Sequence, residues 1–252
     1  MKFKQDPHYF RTNNMLIDKL KKYLLLSFFI LKLSSSVLAQ SGNLLYVDDK
    51  LIHFGFSLGV NSMDFGIKPS LQDINGNIYE AEISTLKPGF SVGIISDLRL
   101  NRYLNLRFTP TLHFGEHQLI YRAVGTSIRD TISITSVPIC LPLYLKYSSE
   151  RKGNYRPYLL WGGGVYFDLG RDKGKAILLK PLDLYTEFGV GCDIYFSFFK
   201  LSPELKFAIG FNDMFTPLDQ RDAGFISDND KKFSIALSKL TSRMLTLTFN
   251  FE

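Results

Sequence analysis

Phe199-Lys200-Leu201-Ser202-Pro203-Glu204-Leu205-Lys206-Phe207-Ala208-Ile209-Gly210-Phe211-Asn212 alternates without a break. The odd positions are all apolar, and the even positions hold Lys, Ser, Glu, Lys, Ala, Gly and Asn. A period of two is the period of a β-strand, since successive side chains point to opposite faces. A soluble sandwich also alternates, but its strands usually run about five or six residues. This stretch is longer, and its apolar face is continuous. A strand that crosses a membrane needs about 9–11 residues, apolar toward lipid and polar toward a lumen.

The same pattern spreads in both directions. Leu245, Leu247, Phe249 and Phe251 alternate with Thr246, Thr248, Asn250 and Glu252. Leu104, Leu106, Phe108, Pro110, Leu112 and Phe114 alternate with Asn105, Arg107, Thr109, Thr111, His113 and Gly115. Residues 54–60, 90–100, 137–147, 157–167 and 188–196 behave similarly. The phase of the first slips near Asn61-Ser62, which suggests a bulge. About eight strands result. In lipid every backbone group must be paired, so the strands must close into a ring. The reading is therefore all-β: a transmembrane antiparallel up-and-down β-barrel of about eight strands, OmpA-like in size, with a filled lumen.

The connections support it. Residues 101–103, 148–154 and 197–198 are short links, and 69–87, 117–130, 171–180 and 213–236 are long. Short turns on one side and long loops on the other are the outer-membrane pattern. An even strand number then leaves both termini periplasmic. Tyr103, Tyr147, Tyr155, Phe196, Phe198 and Phe251 gather at the short-turn ends, as an aromatic girdle would. The long loops, 69–87 and 213–236 above all, are expected to be replaceable without loss of the barrel.

Composition excludes other classes. The chain of 252 residues is 45% hydrophobic and 14% aromatic, too apolar for a disordered protein. Its net charge of +6 does not mark a nucleic-acid binder. Residues 1–39 carry seven basic and two acidic side chains, which leaves 23 basic against 22 acidic in the rest. No basic surface remains to neutralise phosphates.

Residues 1–39 read as a secretory signal with a long front. Lys19, Lys21 and Lys22 precede the apolar run 23–31, and Val37-Leu38-Ala39 is a small-residue cleavage pattern. Met15 offers an alternative start. The competing reading, a membrane anchor, is disfavoured because the apolar run is short and Lys32 interrupts it. Residues 40–50 then form a short periplasmic segment, and 51–252 the barrel. Strand parity points Cys140 inward and Cys192 outward, so no bridge between them is expected.

The inward set contains Asp97, Arg99, Arg107, Lys146, Glu187, Asp193, Lys200, Glu204 and Lys206. Buried charges must be paired. With Leu100 opposite Leu104, Asp97 falls opposite Arg107. With Phe196 opposite Phe199, Glu187 lies diagonal to Lys206 and Asp193 diagonal to Lys200. The two readings are a salt-bridged plug, which is favoured, and an ion or proton path.

Catalytic candidates are few. His113 and Ser91 fall opposite one another, and a hydrogen bond within the lumen is the favoured reading over a nucleophile with its base. No GxSxG, HExxH, CxxC or P-loop pattern occurs. Gly162-Gly163-Gly164 lies mid-strand, where it relieves crowding. No catalytic residue, cofactor, metal site or small-molecule substrate is assigned. The expected partners are outer-membrane lipids, with no nucleic acid.

The stretch His53-Phe54-Gly55-Phe56-Ser57-Leu58-Gly59-Val60-Asn61-Ser62-Met63-Asp64-Phe65 resembles the start of the PorT barrel proteins. Further similar stretches are residues 88–100, 104–110 and 142–147, Arg156-Pro157-Tyr158, and residues 201–207. The single strings are weak; their order and joint occurrence carry the likeness. It implies a component of the type IX protein secretion apparatus of Bacteroidetes, needed for cargo export and in some species for gliding, acting through protein contacts. It supplies no catalytic motif. One departure is the ending Asn250-Phe251-Glu252, where such barrels commonly end in an aromatic residue. The alternatives are a generic small barrel with an envelope-stabilising or adhesive role and, more remotely, a barrel enzyme or ligand-binding barrel.

Overall fold

The computed structural model describes residues 43–44, 46–70, 73–74, 77–83, 87–123, 129–170, 177–221 and 228–252. The expected signal, residues 1–39, lies outside the described residues.

In chain order the strands are β1 (Ile52–Pro69), β2 (Asp73–Ile74), β3 (Asn77–Ile83), β4 (Pro88–Arg99), β5 (Leu104–Phe108), β6 (Thr111–Ala123), β7 (Arg129–Ser136) and β8 (Pro138–Ser148). They continue with β9 (Tyr155–Asp168), β10 (Leu182–Tyr195), β11 (Lys200–Gly210), helix α1 (Asp228–Ile235) and β12 (Leu237–Phe251). The pairing is antiparallel throughout. β1 pairs with β12 on one side and β4 on the other, which closes the sheet into a ring. Counted around the ring, β5 with β6 and β7 with β8 each act as one strand, so the barrel has eight staves.

Both interruptions have a local cause. Pro110 lacks an N–H and parts β5 from β6, but the register on β8 is the same on either side: Phe108 pairs with Leu143 and Thr111 with Cys140. Between β7 and β8 the Val137 N–H turns to the Asp168 carboxylate at 3.1 Å.

The bulge expected near Asn61-Ser62 is absent. β1 keeps one register against β12 from Phe56↔Phe251 to Lys68↔Lys239, and shifts only at Pro69. What changes at that point is chemistry, not phase. Ser57 and Asn61 are buried polar side chains; Met63 and Phe65, on the same inner face, are buried and apolar. Outward, Phe56, Leu58 and Val60 give way to Ser62 and Asp64. The barrel thus has two storeys. In one, apolar side chains face out and charges face in. In the other, toward the long loops, the polarity is inverted, and Leu119, Tyr121, Ile134, Leu240 and others form an apolar core inside the ring.

This inversion also corrects the connections. Residues 117–130 are largely strand: β6 runs on to Ala123 and β7 starts at Arg129. The link 69–87 holds β2 and β3, and β3 pairs with the far end of β6. The other two long links fold into the mouth of the barrel. Ile177, Leu178 and Leu179 are buried, as are Met214, Phe215, Phe233 and Ala236, and Leu179 bridges to Phe215. No helix among the described residues is long and apolar enough to cross a membrane.

Candidate functional site

The charged storey is built from side chains that alternate inward along the staves. Asp97, Arg107, Lys146, Glu187, Asp193, Lys200, Glu204 and Lys206 are all at most 4% exposed. Arg99 is not among them: it stands at the rim, 30% exposed, and pairs with Asp49 at 3.1 Å. It is the last residue of β4, where the inner face opens to water.

Arg107 is the hub. Its Nε donates to Asp97 at 2.7 Å, Nη1 reaches Glu204 at 3.2 Å and Nη2 reaches Glu252 at 2.9 Å. Asp97 lies directly across the β4–β5 ladder, the partner that the tight turn gives it. Glu252 was not in the sequence-derived set. It follows the last residue of β12, and its backbone still exchanges both hydrogen bonds with Lys200, so its carboxylate keeps the inward phase.

The remaining pairs differ in part from the register argument. Lys206 sits 3.8 Å from Glu187 and 3.7 Å from Glu204. Lys146, on β8, reaches past β9 to Asp193 on β10 at 2.8 Å, and Lys200 goes to Glu252 at 2.8 Å. Lysine side chains are long enough to reach past a neighbouring stave, so ladder neighbours do not fix their partners. Tyrosines complete the network. Tyr158 donates to Glu204 at 2.7 Å and Tyr144 to Glu187 at 2.6 Å, while the Lys146 ammonium lies 4.0 Å from the Tyr158 ring centre. Gly162 and Gly191 make room for these rings. A Cβ on Gly162 would meet Tyr144 Cα at 2.8 Å, and one on Gly191 would meet the Tyr158 hydroxyl at 2.5 Å.

Ser91 and His113 pair across β4 and β6, with Ser91 Oγ 2.8 Å from His113 Nδ1. Asn61 donates to the same hydroxyl at 2.8 Å and to the Phe90 carbonyl. All three are buried, at 2–3% exposure. The arrangement ties three staves together by polar contacts where the two storeys meet. A nucleophile needs a substrate beside it, and burial leaves no open face for one.

The short-turn end is closed by residues ahead of β1. Asp48 accepts the Tyr195 hydroxyl at 2.8 Å and lies 3.4 Å from Arg156. Arg151 donates to the Leu44 carbonyl and to Asn43, and its guanidinium stacks 3.7 Å from the Tyr195 ring centre. Beside this strap is a rim pocket lined by Arg99, Arg102, Arg151 and Arg156 with Asp48 and Glu150. There the Glu150 carboxylate accepts the Tyr103 hydroxyl at 3.0 Å and raises its pKa.

The outer wall of the charged storey is apolar, with Ile94 66% and Trp161 63% exposed. Tyr147, Tyr155, Phe196 and Phe198 mark its short-turn edge; Phe251 lies half-buried, its ring stacked on Phe56 with centres 4.9 Å apart. Both cysteines are free thiols, Cys140 buried and Cys192 half-buried. Among the described residues no three His, Cys, Asp or Glu side chains cluster around a metal-sized point.

No curated protein sequence matches the chain. Three solved outer-membrane proteins are similar in structure. Neisserial surface protein A is 10% identical over 80% of this chain and 98% of its own, with a TM-score of 0.40. OprG from Pseudomonas aeruginosa is 12% identical over 79% and 92%, with a TM-score of 0.43. AlkL, determined in lipid bilayers, is 10% identical over 85% and 90%, with a TM-score of 0.37. The model of the outer membrane protein beta-barrel domain matches residues 38–216. A closed ring with a lipid-facing apolar wall and a charged interior, matched by that model over most of its length, makes this chain a member of the outer membrane protein beta-barrel domain family.

Proposed function

We propose that the protein is a closed, non-enzymatic small barrel that serves the outer membrane through its surfaces, as an envelope-stabilising or adhesive element. The observation that carries this reading is the filled interior. A salt-bridged layer occupies one storey and an apolar core the other, so contacts with other molecules fall to the loop end, the short-turn end and the wall. Loops held on a rigid scaffold are where binding usually sits. In this reading the short-turn end and both ends of the barrel chain face the periplasm, and residues 1–39 are removed on export.

Planar-bilayer recording tests the closed interior: reconstituted protein gives no stable conductance. A steady open channel overturns it.

A second reading is a component of the type IX secretion apparatus, contacting other secretion proteins. It is supported by the ordered likeness of residues 53–65, 88–100, 104–110, 142–147 and 201–207 to PorT proteins. Deletion followed by a survey of secreted proteins separates the two. Loss of cargo from the medium with an intact envelope favours secretion; envelope fragility with normal export favours the first reading.

A further inference from the structure

The exchange of polarity on the outer wall is complete on one side of the ring only. Followed from partner to partner, the row of paired residues that starts at Ser62 passes through Phe207, Trp161 and Leu98 and returns to β1 at Ile52, ten residues lower. The staves are therefore tilted, each offset from the next by ten eighths of a residue. With that offset, Leu182 on β10 stands level with Asp64 on β1 and Glu116 on β6.

At this level the two halves of the wall differ. On β12, β1 and β6 the outward side chains are Arg243, Asp64 and Glu116, and Glu116 pairs with Lys87 at 3.0 Å. On β9, β10 and β11 they are Phe167, Leu169, Leu182 and Phe211, 44–63% exposed. The lower edge, by contrast, is level. Ile52, Leu104, Ile194 and Leu201 fall within two residues of one height.

The apolar belt is thus a wedge. On β10 it runs from Ile194 to Leu182, roughly 30 Å at about 3.3 Å per residue and a tilt of about 40°. On β1 it runs from Ile52 to Val60, roughly 20 Å by the same measure. Barrels of this class carry a band of about 25 Å. Left in water, the upper patch on β9–β11 is unfavourable. It is continuous with the lipid-facing wall below it, so acyl chains are the occupant that fits.

A wall shorter than the hydrocarbon is met by thinning the bilayer or by tilt. Tilt is opposed by the level lower edge. A lean that levelled the top would push Tyr155 and Phe196, on the tall side, out of the interface where aromatic rings anchor a barrel. We propose that lipid acyl chains cover the tall side, β9–β11, to its top, and that the leaflet at the long-loop end is drawn thin against the short side, β12 and β1.

The test uses the full chain with Trp161→Phe, which removes the only tryptophan. One tryptophan is then placed at the top, by Leu182→Trp or Asp64→Trp, or at the bottom, by Ile194→Trp or Ile52→Trp. Each variant is refolded into dioleoyl phosphatidylcholine vesicles, and heat-modifiable gel migration confirms folding. Fluorescence is quenched from the membrane by the same lipid brominated at mid-chain, and from water by acrylamide. Brominated lipid quenches Leu182→Trp about three-fold more than Asp64→Trp, acrylamide reverses that order, and the lower pair behave alike. Arg243→Trp, opposite position 64, replaces Asp64→Trp if the latter does not fold. Equal bromine quenching of the upper pair would show a level boundary. A lower pair that differs as the upper pair does would assign the wedge to a tilt of the whole barrel. Leu182→Trp open to acrylamide would leave the patch in water. Shielding of that position from both quenchers, with chains that cross-link in pairs, would give the patch to a second copy. Each of these four results overturns the proposal.

Discussion

Arg107 and Glu252 are 145 positions apart in the chain and meet at 2.9 Å inside the barrel. The same guanidinium holds Asp97 at 2.7 Å and Glu204 at 3.2 Å, so one cation faces three carboxylates from three staves. Removing the cation leaves three buried anions; removing one anion leaves the cation with two partners. Arg107→Met is therefore expected to lower stability by about 3–5 kcal/mol and Asp97→Asn by less than half as much. Urea midpoints of the barrel refolded in detergent measure both. A double cycle with Asp97→Asn should show a coupling of about 0.5–3 kcal/mol. Equal costs for the two single changes would show that Arg107 is not the hub.

The cap over the long-loop end belongs to the core. Met214 is 1% exposed and clusters with Tyr121, Phe233 and Leu240. Met214→Ala should cost about 2–5 kcal/mol, the range for emptying a packed site. Replacing residues 213–236 by a Gly-Ser linker removes Met214, Phe215, Phe233 and Ala236 together, so the barrel should melt earlier than the parent. That differs from the sequence-based expectation of a loop that the barrel does not need in order to fold. A linker variant with the parent's melting point would restore that expectation.

The fold was legible where each face of a strand kept one chemistry along its length. Phe199–Asn212 and 245–252 satisfy that, and their inward phase already placed Lys200, Glu204 and Lys206 in the lumen. It was less legible where the faces exchange roles. At Asn61–Met63 the inner face turns from polar to apolar, which on paper looks like a slip of phase. For the same reason 117–130 reads as loop and 131–136 as no part of a strand, since the outward residues there are those of a water-facing surface. Partners in the charged layer were legible only across one ladder. Asp97 with Arg107 follows from a tight turn, but Lys146 with Asp193 reaches past the stave between them. Glu252 shares the face of Thr246, Thr248 and Asn250, but its partner Arg107 stands on a stave that is not its ladder neighbour, so no register argument joins the two.

The strap ahead of β1 offers an independent check. Asp48 joins Tyr195 at 2.8 Å and Arg156 at 3.4 Å, and these contacts hold the segment against the short-turn end. Asp48→Ala should cost about 1.5–3 kcal/mol locally, the range for hydrogen bonds to a charged group. Amide exchange at Leu44 and Tyr46–Lys50 should then rise ten-fold or more, with β9 and β10 unchanged. Unchanged exchange at the strap would mean that Arg151, bonded to Asn43 and Leu44, and Arg99, paired with Asp49, hold it without Asp48.

Tyr158 packs tightly against Gly191 inside the charged storey. An alanine there would place its Cβ 2.5 Å from the Tyr158 hydroxyl and 2.8 Å from ring carbon Cε2. The ring has little freedom to retreat. Its hydroxyl donates to Glu204 at 2.7 Å, and the Lys146 ammonium sits 4.0 Å from its centre. Gly191→Ala is thus expected to destabilise by about 1–3 kcal/mol, as overpacking of a filled interior does. Tyr158→Phe removes the hydroxyl, which relieves part of the clash, while Glu204 keeps Arg107 at 3.2 Å and Asn250 at 3.3 Å. The double variant should consequently cost less than the sum of the two single changes in urea midpoint. Strict additivity would show that the methyl and the ring do not meet, and that the barrel relaxes around position 191 instead.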